Sequence, residues 1–128
     1  MLISGIVVDE TAPVITTAAV SNTTATGDRT LTALANITDN ISINNTTGSK
    51  PRIYYKKSTQ PNDSASWKFT EAISNTGADF DFTILRSSFD TLFVGETIQY
   101  FVIAQDNGLI ANIAAPANVN FASAPTSL

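Results

Sequence analysis

Apolar and polar residues alternate with a period of two along most of this chain. From Glu96 to Gln105, Ile98, Tyr100, Val102 and Ala104 form one set and Gln99, Phe101 and Ile103 the other. One set is wholly apolar and the other nearly so, which predicts a strand central in a sheet. Gly95 precedes it and Asp106-Asn107-Gly108, a strong turn signal, ends it. Residues 29–38 alternate as cleanly: Leu31, Ala33, Ala35 and Ile37 against Thr30, Thr32, Asn36 and Thr38, with Leu34 out of phase. Phe80, Phe82 and Ile84 pick out a third strand over 79–86. Weaker patterns predict an edge strand at 14–20 and further strands at 51–57, 67–72 and 117–123, the last with Val119 and Phe121 inward. Residues 41–50, 74–77 and 109–116 read as loops or turns, and 87–92 as a crossover with one helical turn. Seven strands without a βαβ alternation predict an all-β, seven-strand Greek-key sandwich.

Length changes the picture little. At 128 residues the chain suits one domain, with the sandwich over 13–123, a linker or strand extension over 1–12 and a linker to a following domain over 124–128. Charge excludes more. With 7 Lys+Arg against 11 Asp+Glu the net charge is −4, and no basic cluster is present to neutralise phosphates, so no nucleic-acid partner is expected. No run of 18 apolar residues occurs, so no membrane insertion is expected. The chain has no Cys and no His. It therefore lacks disulfides, thiolate nucleophiles, and the commonest general base and transition-metal ligand. No G-x-S-x-G or S-x-x-K motif is present either, and the expectation is a protein that is not an enzyme.

Several segments carry a resemblance. Tyr100-x-Val102-x-Ala104-x-Asp106, followed by Gly108 and preceded by Leu92-x-Val94-Gly95, resembles strand F and its corner in bacterial immunoglobulin-like and fibronectin type III-like surface modules. Asp9-x-Thr11-Ala12-Pro13, Ala35-x-Ile37-Thr38-Asp39-Asn40 and Arg52-Ile53-Tyr54-Tyr55-Lys56 are similar to the start, strand B end and strand C of the same modules. The resemblance implies an immunoglobulin-like β-sandwich in which Tyr100 fills a tyrosine corner. It also implies an extracellular or cell-surface location and a spacer or adhesion role beside neighbouring domains of the same chain. The Trp expected on strand C is absent, and a Tyr stands in its place.

Two candidate sites follow from strand order. The start of the chain and the loops after strands B and F would meet at one pole, bringing together Asp9, Glu10, Asp39 and Asp106. Carboxylates, with Asn40, Asn107 and backbone carbonyls, are the oxygen donors that Ca²⁺ takes. The alternative is that Asp39-Asn40 and Asp106-Asn107-Gly108 only form turns. Tyr54 and Trp67, with Tyr55 and Phe69, lie on neighbouring strands and would stack on sugar rings if exposed. That second site suits surface glycans as partners and an accessory carbohydrate-binding module of a secreted hydrolase. Lys56, Lys57 and Lys68 read as exposed charges that discourage edge pairing.

Overall fold

The computed structural model describes residues 8–116, 119–122 and 125. Among them eight strands form: β1 (Val14–Thr17), β2 (Arg29–Thr38), β3 (Arg52–Lys57), β4 (Lys68–Glu71), β5 (Ser74–Thr76), β6 (Asp79–Ile84), β7 (Ile98–Gln105) and β8 (Ile113–Ala114). They build two antiparallel sheets, ordered β1-β2-β6-β5 and β4-β3-β7-β8. The sheets pack face to face as a β-sandwich over Leu31, Leu34 and Ile37 of β2, Phe80 and Phe82 of β6, Ile53 and Tyr55 of β3, and Val102 and Ala104 of β7. Burial of each large side chain here contributes roughly 1.5–3 kcal/mol.

The strand inventory departs from expectation at the edges. The first edge strand ends at Thr17, not at residue 20. Ser74–Thr76, expected to be a turn, pairs with β6, and Ile113–Ala114, expected to be loop, pairs with β7. The expected last strand is not one: residues 119–122 are irregular, and 117, 118 and 123 lie outside the described residues. The linkers expected at the two ends fall largely outside them too. Pro125, however, is fully buried, so it belongs to the packed body.

The out-of-phase Leu34 marks a β-bulge. The pairing of β2 with β6 slips between Leu31 and Ala35. Ala33 sits in the left-handed region at φ 51° and is exposed, while Leu34 and Ala35 both turn inward. Asp81 on β6 holds the bulge: one carboxylate oxygen accepts from the Ala33 N–H at 2.7 Å and the other from the Ser74 hydroxyl at 2.6 Å. These two hydrogen bonds, Ala33 first, hold the Asp81 carboxyl below its usual range.

Strand β3 is buried on both faces. Ile53 and Tyr55 point between the sheets; Arg52, Tyr54 and Lys56 point outward and are covered nonetheless. The cover is Trp67, Phe101, Ile103, Val119 and Phe121. Lys56, expected on the surface, is 1% exposed, and its three N–H groups reach Lys57 O, Gln60 O and Gln99 Oε1 at 3.2, 3.0 and 2.8 Å. The ammonium also lies 5.3 Å from the Trp67 ring. Arg52 lies over Phe69 and Phe121, 4.1 and 4.7 Å from their centroids. Lys57 pairs with Glu96 at 3.1 Å.

The crossover between β6 and β7 is pinned by an unexpected tyrosine. Tyr55 Oη lies 2.6 Å from Ser88 Oγ and accepts from the Leu85 N–H at 3.3 Å. Tyr100, given that role by resemblance, is half-buried against the core. Gly95 does serve as the turn glycine, at φ 98°.

Two substitutions test this account. Ala33→Gly should relieve roughly 1–2 kcal/mol of left-handed strain. About 0.4–1 kcal/mol of that is offset by the freer unfolded chain, so the urea midpoint should rise slightly. Tyr55→Phe should cost about 1 kcal/mol in the same measurement, through the lost hydroxyl contacts alone.

Candidate metal centre

Antiparallel topology brings three chain segments to one pole. Strand β2 leads there into Asp39, β7 leads there into Asp106, and the chain reaches the same place at Asp9 before β1 starts. One carboxylate oxygen from each of Asp9, Asp39 and Asp106 lies within 4.8 Å of the other two. A point among three such atoms is at most about 2.8 Å from each, close to a Ca–O distance. Glu10, the fourth expected ligand, is exposed and not part of this group.

Local hydrogen bonds aim each carboxylate. Asp39 Oδ2 accepts from the Ile41 N–H at 3.0 Å. Asp9 Oδ1 accepts from the Thr11 N–H at 3.1 Å and from Asn40 Nδ2 at 2.9 Å. Asp106, 1% exposed, takes the Gly108 and Asn112 N–H groups on Oδ1 at 3.1 and 2.9 Å and Asn112 Nδ2 on Oδ2 at 2.9 Å. Asn107 faces away from the acids: its Nδ2 donates to Ser42 Oγ and Ile43 O, tying the two loops together.

Asn112 is the residue that sequence reasoning missed. It lies opposite Asp106 in the register of β7 and β8, and its carbonyl accepts from the Asp106 N–H at 3.1 Å. Its side-chain nitrogen lies 2.8 Å from Asp9 O, 3.3 Å from Asp9 Oδ2 and 2.9 Å from Asp106 Oδ2. Two amide hydrogens thus face three acceptors. Asp39 Oδ1 is buried and has no hydrogen-bond partner among the described residues. A buried carboxylate oxygen without a donor is costly, and a cation at the centre of the group removes that cost.

The aromatic site does not form as expected. Tyr54 is 1% and Trp67 5% exposed. Tyr54 stacks on Phe101 at 5.4 Å, and Trp67 meets the same ring edge-on at 5.1 Å. Alternation allows one of two adjacent tyrosines to face the inter-sheet core, and Tyr55 takes that place. The chain beyond β8 then covers Tyr54 on the other face, so neither Tyr54 nor Trp67 offers a ring to a sugar.

Burial works to raise the Asp106 pKa, but hydrogen bonds from the side chain and backbone of Asn112, from the Asp9 carboxyl and from the Gly108 N–H outweigh it and bring it from 3.8 to about 2. A group whose pKa is depressed by folding stabilises the fold above its unfolded value and loses that contribution as pH falls through the folded one. Without divalent cations, the urea midpoint should therefore fall between pH 3.8 and about 2, and Asp106→Asn should flatten that part of the profile.

Among the described residues no helix is long and apolar enough to cross a membrane. Compared with protein-family models, curated proteins and solved structures, the chain matches none.

Proposed function

We propose that the chain is a non-catalytic, immunoglobulin-like spacer or adhesion module of an exported protein, and that Ca²⁺ stiffens its N-terminal pole. The observation that carries the ion is the convergence of Asp9, Asp39 and Asp106, with the Asp39 Oδ1 atom buried and unpartnered. Three carboxylates with neutral oxygens suit a hard cation that accepts variable geometry, which favours Ca²⁺ over Mg²⁺. An extracellular setting fits, since sites in extracellular modules work at roughly 10⁻⁴–10⁻³ M Ca²⁺.

The strand order supports the immunoglobulin-like reading. The order β1-β2-β6-β5 against β4-β3-β7-β8 corresponds to A-B-E-D against C′-C-F-G. The carboxyl groups support a non-catalytic role. Asp63, Asp81, Glu96 and Asp106 are all held below their usual range, whereas a general acid needs a raised pKa. An ion joining the start of the chain to the loops after β2 and β7 fixes the angle at which a preceding segment leaves the sandwich. Neighbouring domains of the same chain are the partners this role implies.

Calcium should raise the melting temperature of the 128-residue chain, and a chelator should reverse the rise. Asp39→Asn keeps the shape but removes the charge, so it should abolish the calcium effect and, by relieving the uncompensated buried carboxylate, slightly raise the calcium-free melting temperature. A calorimetric titration that releases no heat with Ca²⁺ would sink the reading.

A further inference from the structure

Among the described residues, strand β7 has a partner along one edge and, over most of its length, none along the other. The Ser58 N–H donates to Thr97 O at 2.8 Å, so odd-numbered residues of β7 direct their backbone groups toward β3. The Asp106 N–H donates to Asn112 O, so even-numbered residues face β8. β8 covers only Ala104 and Gln105. Continuing its register would place Pro116 opposite Val102, and proline has no N–H to give the Val102 carbonyl. The chain turns there instead: the Val119 N–H donates to Pro116 O at 3.2 Å, and Val119 and Phe121 pack on the outer face. Among the described residues, no backbone group meets the amides or carbonyls of Ile98, Tyr100 and Val102 on this side.

An apolar groove accompanies that free edge. One part, about 390 Å³, lies between β7 and β1 beside Ile15, Thr17 and Ala115. A second pocket, also about 390 Å³, is of mixed character: Leu31 and Leu92 line it together with Asn22, Thr24, Arg29 and Glu96. Tyr100 lines both. An edge of unpaired peptide groups beside an apolar groove is the geometry that accepts an added strand: its backbone completes the ladder and its alternate side chains enter the groove.

We propose that the occupant is residues 2–8 of a second copy of this chain. That segment reads Leu-Ile-Ser-Gly-Ile-Val-Val: no charge to desolvate in the groove, no proline to interrupt the ladder, and five large apolar residues, four of them β-branched. Seven residues extended reach about 23 Å, enough for the five-residue edge from 98 to 102. Strand polarity disfavours pairing by the arm of the same chain. Asp9 is held beside Asn112 at the Asp106 end of β7, so an arm folding back from there runs parallel to β7 and meets β8 first. A second copy's arm can pair antiparallel, the more stable ladder.

The test is sedimentation velocity together with residue-resolved hydrogen exchange on the full chain, over about a hundredfold range of concentration. On concentration, the mass should rise above the monomer, and the amides of Ile98, Tyr100 and Val102 should exchange about tenfold more slowly. The amides of Gln99, Phe101 and Ile103, already bonded to β3, should not change. The double variant Ile3→Glu, Ile6→Glu puts charge on the arm; it should abolish both effects and leave the melting temperature of the dilute chain unchanged. A monomer at every concentration, association without slower exchange at the three amides, or protection that ignores dilution or survives the double variant would each overturn the proposal.

Discussion

Burial of β3 on both faces is the constraint on which the rest of this structure depends. A strand buried on one face needs one opposing sheet; this one needs a second cover as well. Ile53 and Tyr55 are met by β2 and β6 through the core. Arg52, Tyr54 and Lys56 must be met from outside, and two of these three carry charge. Burying an ammonium is unfavourable unless each donor is answered, and the Lys56 ammonium finds Lys57 O, Gln60 O and Gln99 Oε1. The Arg52 guanidinium is flanked by Phe69 and Phe121, which are apolar yet electrostatically suited to a cation.

That second cover shapes the far edge of the sheet. The chain after β8 supplies Val119 and Phe121 to the outer face, and among the described residues it does not pair further along β7. Pro116 sits where the choice is made, because it cannot donate to the ladder at Val102. One proline therefore links two features that look unrelated: a covered basic–aromatic layer and an open strand edge beside an apolar groove.

At the opposite end of β7 polar chemistry takes over from packing. Asp106 is buried but well supplied with donors, whereas Asp39 keeps one buried oxygen without any. The two acids have the same turn-forming sequence context and different fates, since Asn112 reaches Asp106 and Asp9 only. The pole is thus well ordered by its own hydrogen bonds and still short of positive charge.

The alternation of apolar residues by itself determined the all-β character and the two long strands β2 and β7; that the out-of-phase Leu34 marks a bulge, with Ala33 turned outward, was decided by the pairing with β6. Period-two patterning is a property of neighbours along the chain, so it is legible there. Asp9, Asp39 and Asp106 were also legible as a group, because antiparallel topology sends known strand ends to a known pole. Tertiary structure alone decided that Tyr54, Trp67 and Lys56 are buried, that Tyr55 and not Tyr100 pins the crossover, and that Asn112 sits among the acids while Glu10 does not. Each of these turns on which distant segment covers which face. Local pattern carries no record of it, since the same alternation serves a strand with one covered face or two.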